Sequence, residues 1–282
     1  MEAVLDYLKV LFLGVLEGIT EWLPISSTGH LLLVDGFLQF EGSDSFKELF
    51  FVVIQLGAIL AVVVLFWEKM IPFQNTRGIV SLHRDTLSLW FKTVLACIPG
   101  AAVTLLFDNA LEGLLTSTQI KEQLPLMPVV IAGALIFYGA LFILIEQKSK
   151  APRIHSIEEI RFSDALLIGL FQALSIIPGT SRSGSTVVGA LVLGISRPAA
   201  AEFSFFLAVP VMLGYSLLKL FKFGFAFTLS QGLLLLLGSL AAFLTSLLVI
   251  RALMSYVKKH SFSAFGIYRI LLGTALLLYF LI

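Results

Sequence analysis

Two short polar runs interrupt otherwise apolar stretches, and between them they hold the groups best able to do chemistry. The first is Glu17-Gly18-Ile19-Thr20-Glu21-Trp22-Leu23-Pro24-Ile25-Ser26-Ser27-Thr28-Gly29-His30. Its two glutamates stand at i, i+4, so a helix carried through to Pro24 puts both on one face. Two carboxylates so close cannot both ionise cheaply in a dry site, and they must share a proton, a cation or an arginine. The three hydroxyls that follow include a candidate nucleophile, Ser27. His30, able to change charge near neutral pH, is a candidate base for it and then an acid for a leaving group.

The second run is Gln172-Ala173-Leu174-Ser175-Ile176-Ile177-Pro178-Gly179-Thr180-Ser181-Arg182-Ser183-Gly184-Ser185-Thr186. A planar guanidinium among hydroxyls, at a loop that opens a helix, suits bidentate binding of phosphate oxygens. Arg182 with Ser181, Ser183 and Thr186 therefore reads as an anion clamp, with Ser26 and Thr28 from the first run as further phosphate-binding groups. Gln55 and Arg269, polar residues inside apolar stretches, are secondary phosphate-binding candidates, and Tyr268 beside Arg269 reads as a marker of the membrane boundary. The plainer alternatives are a structural ion pair of Arg182 with Glu21, an ion-pair network of the glutamates with Arg182 or Arg269, and a hydrogen-bonded packing role for His30. No Walker loop, HExxH, dinucleotide fingerprint or cysteine-histidine metal spacing occurs, which disfavours ATP-driven chemistry.

What must position these residues is a membrane protein. Of 282 residues 58% are hydrophobic and 13% charged, with a mean hydropathy of +0.99, whereas a soluble domain carries about a quarter charged residues. Ionisable groups at membrane depth are costly and by default mark a site. The net charge of +1 and the lack of a basic run give no sign of nucleic-acid binding, and Cys97, the single cysteine, has no disulfide partner. The acidic N-terminus predicts no cleaved signal peptide.

Six stretches are able to span: about 47–67, 87–107, 125–146, 198–221, 230–254 and 262–282. Residues 1–40 and 162–195 are instead paired apolar arms broken by Pro, Gly and Ser, which reads as a re-entrant helix-loop-helix each. The order is hairpin plus three spans, twice, and an offset of 155 positions matches Gly14 with Gly169, Glu17 with Gln172, Ser26 with Ser181, Thr28 with Ser183 and Gly29 with Gly184. The expected architecture is an all-α polytopic membrane protein forming a single domain over 1–282, with repeat 1 at about 1–146 and repeat 2 at about 162–282. Three spans per half invert the second copy and bring both polar tips together near the midplane. Lys69, Arg77, Arg84, Lys148, Lys150, Arg153, Arg161, Arg197, Arg251, Lys258 and Lys259 gather on one face, against Lys9, Lys47, Lys121, Lys219 and Lys222 on the other. By the positive-inside rule the first face is cytoplasmic and both termini are outside. Gly57, Gly133, Gly139, Gly214 and Gly238 read as helix contacts.

At these residues the chain resembles the undecaprenyl-diphosphate phosphatase family of the bacitracin-resistance type. The resemblance rests on Glu17-x-x-x-Glu21 leading to Ser26-Ser27-Thr28-Gly29-His30, together with Pro178-Gly179-x-Ser181-Arg182-Ser183-x-x-Thr186, and covers nearly the whole length. It implies hydrolysis of undecaprenyl diphosphate to the monophosphate carrier lipid and phosphate, at the outer side of the bacterial inner membrane. It also implies roles in or near catalysis for Glu17, Glu21, Ser27, His30 and Arg182, with an assisting divalent cation, Mg or Ca. From the residues alone, the two glutamates are cation ligands or proton holders, and attack comes from Ser27 or from water activated by a glutamate. A rival class is a secondary transporter or lipid flippase, because paired broken helices at the midplane are also transporter architecture. A homo-oligomer is compatible with the sequence, which does not fix the oligomeric state.

Overall fold

The computed structural model describes residues 2–35, 38, 43–76, 79–117, 119–121, 124–148, 151–224 and 227–281. Helix α1 (Glu2–Thr20) and the short α2 (Ser27–Asp35) form the first broken pair. They are followed by α3 (Asp44–Leu65), the single turn α4 (Trp67–Met70), α5 (Arg84–Ser117) and α6 (Leu126–Lys148). The second broken pair is α7 (Phe162–Ala173), a 3-10 turn (Leu174–Ile176) and α8 (Arg182–Val192), and α9 (Arg197–Phe223), α10 (Leu229–Val257) and α11 (Ser263–Leu281) complete the chain.

Among the described residues six helices are long and apolar enough to cross a membrane: Ser45–Leu65, Arg84–Phe107, Leu126–Lys148, Arg197–Phe223, Leu229–Val257 and Ser263–Phe280. They are the six stretches expected from sequence. One amendment to the all-α reading concerns connections: β1 (Phe73–Thr76) pairs antiparallel with β2 (Ile79–Leu82), and β3 (Gln119–Lys121) with β4 (Leu124–Pro125). These ribbons are too short to carry a periodic signal in sequence.

The packing partners repeat between the halves. Helix α1 lies against α10 and α7 against α5; α3 also meets α10, as α9 meets α5; α3 crosses α9, and α6 crosses α11. Small residues make the closest approaches, as helices in lipid require when hydrophobicity no longer drives their association. A Cβ on Gly14 would strike the carbonyl oxygen of Gly238 in α10, and one on the matched Gly169 would strike that of Ala96 in α5. Hydroxyls add bonds across the same seams, from Ser216 Oγ to the Val52 carbonyl (3.0 Å) and from Ser239 Oγ to the Val53 carbonyl (3.3 Å). Of the glycines read as helix contacts, Gly57, Gly139 and Gly238 are such contacts, whereas Gly133 and Gly214 have no atom within 4 Å of the place a Cβ would occupy and are not. Gly14→Ala is therefore expected to destabilise the protein by about 1–3 kcal/mol through overpacking. Gly133→Ala, with open space around it, should be neutral or slightly stabilising. Thermal unfolding of both variants in detergent checks the contrast.

Away from the two loops, charges pair across elements. Lys69 bonds Glu202 at 2.5 Å and reaches Glu158 at 3.9 Å, while Lys92, which lies within an expected span, donates to the Glu158 carbonyl (3.0 Å). Arg197 grips Glu146, whose Oε1 also accepts from Phe262 N at the start of α11.

Candidate active site

Each polar run ends one helix, turns and starts another. In the first, α1 gives out at Thr20, short of Pro24, to which the sequence reading extended it. Pro24 has no N–H and holds Leu23 out of the helical region, so the chain unwinds before it arrives. Glu21 N still donates to the Glu17 carbonyl at 3.0 Å, and the two glutamates keep their one-turn relation. In the second run the turn passes through Gly179 (φ 91°) to Ser181, whose Oγ accepts from Gly184 N (3.1 Å) and caps α8. Ser26 and Ser181, matched by sequence, have φ of 71° and 69° and are the two non-glycine residues with positive φ among those described. Such a conformation costs of order 1–3 kcal/mol per residue and persists only where surroundings impose it, typically at functional sites.

Glu21 joins the two loops. Its Oε1 accepts from Arg182 Nη2 (3.0 Å), its Oε2 from Ser27 Oγ (3.2 Å) and its backbone carbonyl from Ser183 Oγ (3.2 Å). The Arg182 and Glu21 side chains are only 11% and 10% exposed, so this ion pair is largely withdrawn from water. Arg182 also donates from Nη1 to the Ser204 carbonyl (3.0 Å), which aims its fork from α9 as well as from the first loop. Glu17 is fully buried, with Glu21, Gln55 and Arg182 among its polar neighbours, and neither of its oxygens makes a hydrogen bond of good geometry.

The other candidates take distinct places. His30 sets Nδ1 2.7 Å from the Ser26 carbonyl and Nε2 2.7 Å from Tyr268 Oη, so Ser27 bonds Glu21 and not His30. Ser183 and Thr186 spend their hydroxyls on the protein: Ser183 on the Glu21 and Leu23 carbonyls, Thr186 on the Arg182 and Ser183 carbonyls and on Ser204 Oγ at 2.6 Å. Arg269 is wholly buried and ties both loops, from Nη1 to the Pro24 carbonyl (3.1 Å) and from Nη2 to those of Gly179 and Thr180 (2.9 Å each), with Tyr138 beneath its guanidinium at 5.5 Å. These bonds brace the loops; the structure does not point those three groups at open space. Thr28's side chain lies outside the described residues. Sequence reasoning missed Ser204, Tyr138 and Trp22, and read Tyr268 only as a boundary residue. A polar residue inside an apolar span was the available signal for Ser204.

Buried polar atoms in folded proteins are nearly always paired, and each exception needs a reason. Here the exceptions among described side chains belong to Glu17, Trp22, Ser26, Gln172, Arg182 and Arg269. All six lie in the two loops, in the helix turns that enter them, or in the arginine that binds them together. The cluster offers donors at Arg182 Nε, Ser26 Oγ and Trp22 Nε1 beside acceptors on Glu17. A hydroxyl bonded to a carboxylate, with a forked cation on that same carboxylate, can deliver a nucleophile to an anionic group.

The chain is similar to known proteins along nearly its whole length. The chain is 56% identical over 277 residues to an undecaprenyl-diphosphatase of Enterococcus faecalis, covering 97% of each chain. It is 51% identical to undecaprenyl-diphosphatase 1 of Clostridium acetobutylicum and 50% identical to the undecaprenyl-diphosphatase of Desulfitobacterium hafniense, each over 99% of this chain and at least 97% of the relative. The family model described as bacitracin resistance protein BacA matches residues 10–275. With six apolar helices among its described residues and its two cross-bonded loops, this multi-pass membrane protein belongs to the BacA bacitracin resistance family.

Proposed function

We propose that the protein hydrolyses undecaprenyl diphosphate to undecaprenyl phosphate and inorganic phosphate, recycling the carrier lipid for cell-wall synthesis and so conferring bacitracin resistance. The observation that carries this reading is Glu21, which holds the Ser27 hydroxyl on one oxygen and the Arg182 guanidinium on the other inside a membrane protein. Phosphoryl transfer asks mostly for positioning and charge stabilisation, and a diphosphate head on a polyprenyl tail brings the anion to membrane depth.

In the first step Ser27 Oγ attacks the terminal phosphorus and gives its proton to Glu21 Oε2. The Oγ–P bond forms, the bridging P–O bond breaks, and the lipid leaves as its monophosphate. Arg182 neutralises the phosphoryl oxygens through its fork and through Nε, the buried N–H without a protein partner. In the second step water attacks the phosphoserine, Glu21 returns its proton to Oγ as the Oγ–P bond breaks, and both hydrogens of the water leave on inorganic phosphate. His30 acts at one remove: its Nδ1–H holds the Ser26 carbonyl and so the turn presenting Ser27. Ser181, Ser183, Thr186 and Arg269 keep the loops in register.

A divalent cation, Mg or Ca, suits an all-oxygen donor set, and the two unpaired buried oxygens of Glu17 fit that role beside Glu21 and Gln55. When bound it would supply positive charge to phosphate oxygens. The halves are related as an inverted repeat of re-entrant pairs, a reading supported by the exchanged helix partners, the twin approaches at Gly14 and Gly169 and the twin strained serines. The excess of basic residues on one face supports a site that opens to the extracytoplasmic side of the bacterial inner membrane, with both termini on that side.

A purified sample in detergent, where no gradient exists, should release phosphate from undecaprenyl diphosphate at a steady rate. A sample that binds this lipid but releases no phosphate, and carries it across a bilayer instead, would favour the transporter reading.

A further inference from the structure

We infer that Tyr268 is a positioning residue for the reaction, which acts by holding the His30 ring in place through Nε2 and, through that ring, the turn that presents Ser27. The inference rests on the role given to His30 above. A carbonyl oxygen only accepts, so the 2.7 Å approach of His30 Nδ1 to the Ser26 carbonyl requires the hydrogen on Nδ1. In the neutral ring Nε2 is then a bare acceptor, and the group 2.7 Å from it is the Tyr268 hydroxyl, which donates. Were the hydrogen on Nε2 instead, the Nδ1 lone pair would face the Ser26 oxygen at the same distance and repel it. The Ser26 carbonyl thus decides which nitrogen holds the proton, and Tyr268 holds the ring by the other nitrogen.

The chain of contacts is short. Tyr268 holds Nε2, Nδ1–H holds the Ser26 carbonyl, Ser26 keeps its φ of 71°, and the next residue places its hydroxyl on Glu21. Tyr268 is itself set by its neighbour, because Arg269 is pinned to carbonyls of both loops and fixes this turn of α11 against them. The Tyr268 and His30 rings lie within 5° of parallel with centroids 5.6 Å apart, so the two rings also pack on one another beside the hydrogen bond. A tyrosine that merely marks the membrane boundary needs no hydroxyl aimed at an imidazole, and 43% of Tyr268 is exposed, so its ring is not what fills the core.

The test uses the full chain in detergent with undecaprenyl diphosphate. Tyr268→Phe keeps the ring and removes the oxygen, and kcat should fall roughly tenfold, the worth of one such hydrogen bond, with KM changed less than about twofold and the melting temperature nearly kept. In a His30→Ala background the same substitution should cause no further fall, because residues that act through one another are not additive. An undiminished second loss in that background, or an effect confined to KM, overturns the role of Tyr268. Failure of the underlying reading looks different: wild-type protein that releases no phosphate, or His30→Ala at full rate.

Discussion

Arg182→Lys should lower kcat/KM for undecaprenyl diphosphate by about a hundredfold or more, equivalent to roughly 3 kcal/mol of transition-state stabilisation. Lysine keeps the charge, but a single ammonium cannot bond Glu21 and the Ser204 carbonyl while offering a further N–H edge, as the guanidinium does. Arg182→Ala is the harsher and less informative change. It strands Glu21 in a largely buried position, where loss of one partner costs about 3–5 kcal/mol, so inactivity would be mixed with unfolding. The lysine variant, assayed beside its melting temperature in detergent, separates the two: activity lost with stability nearly kept is the expected result.

Ser27→Ala should be more damaging still, with kcat reduced at least about a thousandfold, since the group that forms the covalent bond is gone. Substrate affinity should persist, because Arg182 and the loop braces are untouched. Wild-type enzyme quenched in acid with substrate labelled in its terminal phosphate should carry label on Ser27, provided that the second step is slow enough for the intermediate to accumulate. Near-normal turnover by Ser27→Ala would transfer attack to a water held by Glu21, with Arg182 unchanged as the clamp.

The six spans were legible because each is an unbroken apolar run at the length a bilayer sets, a property local to the sequence. The paired loops were legible for a related reason: Pro24, Pro178 and the Ser-Gly clusters break the apolar pattern at matched places. What escaped depends on contacts between distant residues. Ser27 and His30 sit close in sequence and read as a nucleophile with its base, yet His30 is taken by Tyr268, 238 residues away, and Ser27 by Glu21. Arg269, a secondary phosphate-binding candidate as a polar residue inside an apolar stretch, donates to three backbone carbonyls from the two loops. Gly133 and Gly214 looked like Gly139 in sequence, and only the face each turns to a neighbour distinguishes them. Glu17 and Glu21 kept their relation although the helix stopped early, since one backbone bond carries the turn through Glu21.

That the two loops form one phosphate site is tested most directly by a structure of Ser27→Ala with undecaprenyl diphosphate bound. The terminal phosphate should lie within hydrogen-bond distance of the Arg182 guanidinium, with its phosphorus facing residue 27 and Glu21 beside both. A diphosphate bound elsewhere, for instance against Lys69 and Lys92 near Glu158, with Arg182 still closed on Glu21 and Ser204 alone, would contradict it.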